Sequence, residues 1–245
     1  MAGVPIFRGG LAAAVAFVLE RIASGRGARI ATANLDFLAQ ARKNGQLLDD
    51  LRACDCVVAD GMPVAWLARL AGAPETRRIP GVDLVEALCG ARAGLRVAMY
   101  GSSPAIAGPA AEHLKRSFGA NVVSLICPPF RPLTDAELQA DLAAIAAAEP
   151  EAVLVALGCP RQERFIASAW SVAPRAAWLG VGGTFDFYAG RRTRAPRAVQ
   201  SAGLEWLVRL VQEPRRLGGR YLVRDVPALL QIAPRCLLTR AARFL

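Results

Sequence analysis

The sequence has one histidine in 245 residues and no Cys-x-x-Cys pair among its six cysteines. A zinc site or a Ser-His-Asp triad has almost nothing to draw on. The one histidine, His113, lies in the run Ala-Ala-Glu-His-Leu-Lys and reads as a solvent-facing helix residue. The cysteines (Cys54, Cys56, Cys89, Cys127, Cys159, Cys236) fall mostly in apolar runs, which suits reduced core residues of a cytosolic protein. No Asp-x-Asp pair occurs, so the usual carboxylate pair that holds a divalent metal on a sugar nucleotide is missing. No Gly-x-Gly-x-x-Gly occurs either, which counts against a nicotinamide oxidoreductase. The uncharged stretch at residues 11–19 is too short to span a bilayer and lacks a cleavage pattern.

What is present is an uneven charge. The formal net charge is +10. From residue 191 onward there are twelve arginines against Glu205, Glu213 and Asp225, a net of +9. A nearly neutral body therefore carries a basic C-terminal quarter, which suits an anionic partner. Apolar residues make up 54%, ample for a core.

Along the body, apolar runs alternate with amphipathic stretches. Strands are expected at residues 28–33, 54–59, 95–100, 121–126, 152–157 and 176–181. Helices are expected between them, with Pro63 in a first turn and a Thr134/Glu137 capping box. Strands without alternation, each followed by a helix, indicate a mostly parallel sheet covered on both faces. The expected architecture is a Rossmann-like α/β domain over residues 1–195 with a basic helical appendage over 196–245.

In such sheets ligands bind at the C-terminal strand edge, where the unusual residues fall. Asp60 ends an apolar strand before Gly61; it is either a general base for a substrate hydroxyl or a helix cap. Thr32 and Asn34 end the first strand and either bind a sugar or base or cap the next helix. Gly101 and Ser102 lie between a strand and a helix; they form either a plain tight turn or one whose N–H groups hold a phosphate. In Gly158-Cys159-Pro160-Arg161-Gln162-Glu163, an Arg/Glu surface pair accounts for Arg161 and Glu163 and leaves Gln162 unexplained. Gly182 and Asp186 lie on a similar edge.

The C-terminal stretch mixes arginine with Leu, Val and Trp. Leu204, Leu207, Val208 and Val211 share a helical face from which Glu205 and Arg209 are absent. With Trp206 and Tyr221 beside it, this reads as a membrane-surface element; a helix packed on the domain and a nucleic-acid arm compete.

These segments together resemble the WecG/TagA/CpsF glycosyltransferases (glycosyltransferase family 26). The motifs are Thr-x-Asn at 32–34, Asp-Gly at 60–61 and Arg-Ile-Pro-Gly-Val-Asp at 78–83. They continue with Leu-Gly-Cys-Pro-Arg-Gln-Glu at 157–163, Gly-Val-Gly-Gly-Thr-Phe-Asp-Phe at 180–187 and Gly-Arg-Arg-Thr-Arg-Ala-Pro at 190–196. Gly-Leu-Glu-Trp-Leu-Val-Arg-Leu at 203–210, with Glu-Pro-Arg-Arg after it, completes the series. The resemblance implies inverting transfer of a hexose or N-acetylhexosamine from a UDP-sugar to a polyprenyl-diphosphate-linked sugar. It implies work at the inner face of the bacterial membrane, in cell-surface polysaccharide synthesis, with no metal or other cofactor. It implies Asp60 as general base and Thr32, Asn34, Arg78 and Gln162 as pocket residues. Arg209, Arg216 and Arg220 become the basic residues that complete the site at an anionic membrane surface. The rival is a non-catalytic peripheral membrane or nucleic-acid-binding α/β protein.

Overall fold

A computed structural model describes residues 3–201 and 203–241; the side chains of Ser201, Arg216, Thr239, Arg240 and Ala241 lie outside the described residues. Among the described residues six strands form one parallel sheet: β1 (Ala28–Ala33), β2 (Cys56–Ala59), β3 (Arg96–Gly101), β4 (Asn121–Ile126), β5 (Ala152–Ala156) and β6 (Ala177–Gly180). Their order is β2-β1-β6-β5-β3-β4. Nearly every position of β1, β2, β3, β5 and β6 is buried, because helices cover both faces.

One face packs Ile30, Met99, Leu154 and Leu179 against α1 (Leu11–Ala23), α5 (Gly81–Ala91), α6 (Pro104–Phe118) and α9 (Thr184–Tyr188). The other face is shared by two clusters. Ala31, Val57 and Ala59 meet α2 (Leu35–Ala41), α3 (Gly45–Arg52) and α4 (Met62–Leu70). Tyr100, Val155 and Trp178 meet α7 (Asp135–Ala147) and α8 (Arg161–Ala169). Thr134 and Glu137 form the expected capping box on α7. His113 is not turned to solvent: it is half-buried and stacks on Tyr188 with ring centroids 5.2 Å apart, since α9 folds back against α6. All six cysteines are free, and Cys56, Cys89 and Cys236 are buried.

The C-terminal region runs through α10 (Arg197–Ser201), α11 (Glu205–Gln212), α12 (Pro214–Arg220), a π-helical turn (Tyr221–Asp225) and α13 (Val226–Ala241). It lies on the domain. Ala228, Ile232 and Cys236 of α13 are buried in the same cluster as Leu38 of α2 and Leu67 of α4. No helix among the described residues is long and apolar enough to cross a membrane.

Helix α11 is turned against the usual sense for a surface helix. Glu205 is buried at its first position, while Leu207 and Val211 are 44% and 74% exposed. Its charged face points in and its apolar face points out.

Candidate active site

The parallel pairing of β1 with β2 sets Ala33 opposite Ala59, so Asn34 and Asp60 emerge side by side at the C-terminal edge. The C-terminal helices close over that edge and leave a cavity of about 380 Å³. Asn34, Asp60, Arg78, Glu205, Arg209 and Arg220 supply its polar wall. Met62, Trp66, Trp206 and Leu229 supply much of its apolar wall.

Asp60 is half-buried and follows an entirely buried strand. Burial raises its carboxyl above the usual carboxylate range. Arg209 and Arg78 work against that rise, as does the Gly81 N–H that it accepts; Glu205 adds to it. Arg78 donates from Nε to the Asp60 carbonyl at 3.2 Å and pairs through Nη2 with Glu205. Arg209 lies 3.4 Å from Glu205 and 5.2 Å from the centre of the Phe187 ring. Arg220 donates to Asn34 and lies between the buried carboxylates of Asp36 and Asp225.

Five of the expected residues thus meet in one cavity: Asn34, Asp60, Arg78, Arg209 and Arg220. Asn34 also caps α2 by accepting from the Phe37 N–H at 3.3 Å, so its two sequence readings coexist. Arg216 belongs to α12, but its side chain lies outside the described residues.

The other expected residues hold the edge together. Thr32 is buried and donates to the Gly180 carbonyl at 2.7 Å, tying β1 to β6. Gln162 is 1% exposed and already committed: Oε1 accepts from the N–H groups of Gly158 and Gly182 at 3.2 and 3.0 Å. Its amide donates to Glu163 at 2.7 Å. The Arg161/Glu163 surface pair does not form; Glu163 is buried and Arg161 donates to the Leu157 carbonyl instead. Gly101 stands where a Cβ would lie 2.7 Å from the Ala156 carbonyl, at φ +111°. Gly101 and Ser102 end β3, which is three places from β1 in the sheet, so they do not line this cavity. Asp186 faces Arg192 at 3.6 Å, which also pairs with Glu213 at 3.1 Å.

Sequence reasoning missed Trp66, Asp36, Asp225 and Glu205. Trp66 carries a faint signal, a large aromatic on a helix that starts directly after Asp60-Gly61. Glu205 shows only its i,i+4 pair with Arg209; its other partners, Arg78 and Arg194, are distant in the chain.

A family model described as the glycosyl transferase WecG/TagA/CpsF family matches residues 1–242. An N-acetylglucosaminyldiphosphoundecaprenol N-acetyl-beta-D-mannosaminyltransferase from Bacillus spizizenii is 34% identical over 193 residues, covering 78% of this chain and 74% of the relative.

Proposed function

Because the chain belongs to the WecG/TagA/CpsF glycosyltransferase family, we propose that it moves a hexose or N-acetylhexosamine from a UDP-sugar to a polyprenyl-diphosphate-linked sugar, with inversion. The pathway it serves is the building of a bacterial cell-surface polysaccharide. The observation that carries this reading is the cavity that groups Asp60 with Arg78, Arg209 and Arg220.

The acceptor hydroxyl attacks the anomeric carbon from the face opposite UDP. Asp60 takes the hydroxyl proton as the new C–O bond forms. Its raised pKa makes the ionised carboxylate a stronger base. The bond between the anomeric carbon and the diphosphate oxygen breaks, and UDP leaves with the electron pair. Charge grows on that diphosphate, and guanidiniums already fixed in place stabilise it without reorganisation. Arg78 and Arg209, whose charges act on the Asp60 carboxyl, are placed for this task, with Arg220 on the α2 side of the cavity. The carboxylates beside them are occupied by arginine, so the donor set favours a metal-independent reaction.

The outward apolar face of α11 and the exposed Leu222 and Val223 support work at the inner surface of the cell membrane, where a lipid-linked acceptor resides. A relative named for an undecaprenol-linked acceptor supports the same placement.

The test is a panel of UDP-sugars with a synthetic polyprenyl-diphosphate-sugar acceptor in excess EDTA, read by mass spectrometry and NMR. A product heavier by one sugar, with inverted anomeric configuration, is expected. No product with any donor, together with no UDP binding, supports the non-catalytic rival. Loss of product in EDTA that Mg²⁺ restores overturns the arginine-based account.

A further inference from the structure

Glu205 stands among three guanidiniums brought together from different parts of the chain. It occupies the first position of α11, is 6% exposed, and still lines the cavity. One carboxylate oxygen takes Arg78. The other lies 3.4 Å from both Arg194 and Arg209. Arg78 precedes α5, Arg194 precedes α10, and Arg209 is one turn further along α11. Arg194 is itself fixed by Asp83 at 2.6 Å. Grouped guanidiniums repel one another, and a part-buried group of them needs a counter-charge.

We propose that Glu205 is a positioning residue, whose carboxylate holds Arg78 and Arg209 at the place of the donor diphosphate beside Asp60. The inference rests on the transfer reaction proposed above. The Arg78 guanidinium is held twice, by Glu205 and by the Asp60 carbonyl just after β2, so its fork has a fixed aim before substrate arrives. Arg209 meets the same carboxylate from one turn along α11, and the pair with Arg78 joins that helix to the domain, so the C-terminal helices join the site through Glu205. The alternative is an ion pair that only glues α11 to the domain.

The two roles differ in what they move. Asp60 faces Arg78, Arg209, the Gly81 N–H and Glu205. Of these Glu205 alone carries negative charge. A structural glue lost on substitution lowers thermal stability. A positioning carboxylate lost on substitution also lowers kcat and shifts the titration of Asp60.

The experiment compares full-length Glu205→Gln and Glu205→Asp with wild type. It measures kcat and KM for the UDP-sugar across pH, and titrates the Asp60 carboxyl by ¹³C NMR. Glu205→Gln is expected to lose about 10²-fold in kcat with KM little changed, as for a misaimed group that acts in the transition state. Its acid limb and NMR midpoint move to lower pH. Glu205→Asp keeps the charge, so it recovers part of kcat and leaves the acid limb in place. A Gln variant with wild-type kcat, or one that loses only stability, overturns the proposal. If the Gln variant does not fold, an Asp variant with wild-type kcat overturns it. A wild type that transfers no sugar defeats the functional reading alone; an unmoved Asp60 midpoint in the Gln variant then still overturns the role given to Glu205.

Discussion

The guanidinium of Arg220 donates to Oδ1 of Asn34 at 3.2 Å and so joins the end of α12 to the end of the first strand. It also lies 3.6 Å from Asp36 and 3.5 Å from Asp225, both buried. Arg220→Ala takes the paired guanidinium from buried Asp225 and one of two from Asp36, which keeps Arg224 at 3.3 Å and the Gln40 amide at 2.9 Å. Stranding a buried ion-pair partner costs about 3–5 kcal/mol. The Arg220 side chain is 22% exposed, so solvent reduces the loss here to about 1–3 kcal/mol. Urea unfolding and a transfer assay on one variant check this. Unchanged stability with lost transfer assigns Arg220 to substrate alone and removes its role in docking the tail.

Asp60→Asn is expected to lose about 10²–10⁴ in rate while the fold and UDP binding persist. The wild-type rate should fall as pH drops through the Asp60 pKa, which burial places above the usual carboxylate range. The sign follows because only the ionised carboxylate accepts the proton. Arg209→Gln removes a charge that holds this pKa down, so the acid limb of that variant should move to higher pH. A limb that stays still, or near-normal turnover by Asp60→Asn, removes Asp60 from the general-base role.

The sheet was legible in the sequence because strands buried on both faces are written as unbroken apolar runs. The run at 152–157 became β5 within a residue. Helix α3 was harder to read: Leu47, Leu48 and Leu51 share a helical face, but eight residues opened by Gly45 give only two turns of pattern. Asn34 and Asp60 were legible as polar residues that end such runs. Glu163 was misread because sequence neighbours suggest an Arg161 pair, whereas the turn into α8 aims Glu163 inward. The amphipathic pattern of α11 was visible, but a pattern gives a face and not its direction. The exposed Leu207 and buried Glu205 reverse what a soluble helix would do.

Glu163 makes stability depend on pH. Its pKa is raised from an ordinary 4.5 to about 7, chiefly by burial, with the Gln162 amide partly opposing. The folded state therefore binds a proton that the unfolded state has released between these values. Its contribution is fully favourable below about pH 4.5 and is lost as pH rises through about 7. The span corresponds to about 3 kcal/mol. Glu163→Gln keeps an acceptor for Gln162 and carries no charge. The variant should exceed wild type in stability above pH 7 and match it near pH 4.5, by urea titration at several pH values. Parallel stability curves for the two proteins would show that Glu163 is ionised without penalty.

The outward surface of the tail should bind anionic bilayers in two separable ways. Leu222 and Val223 are each 73% exposed, Leu230 and Leu238 each 69%, and Val211 74%. Placing such side chains in the acyl boundary gains about 1.5–3 kcal/mol for each one fully buried. Arginines near an anionic surface gain about 1 kcal/mol apiece, within a screening length of about 8 Å at physiological ionic strength. Salt should therefore weaken binding to phosphatidylglycerol vesicles without abolishing it. Leu222→Asp with Val223→Asp should remove the salt-resistant part, and Arg215→Gln, at an exposed arginine of α12, should reduce mainly the salt-sensitive part. Co-sedimentation across a salt series reads both. Neither aspartate falls on a residue buried in the core, so thermal stability should hold. A nucleic-acid arm behaves differently: its binding vanishes with salt and ignores the aspartates, because phosphate contacts dominate it. Vesicle binding that the aspartates leave untouched would mean that the apolar outer face meets something other than a bilayer.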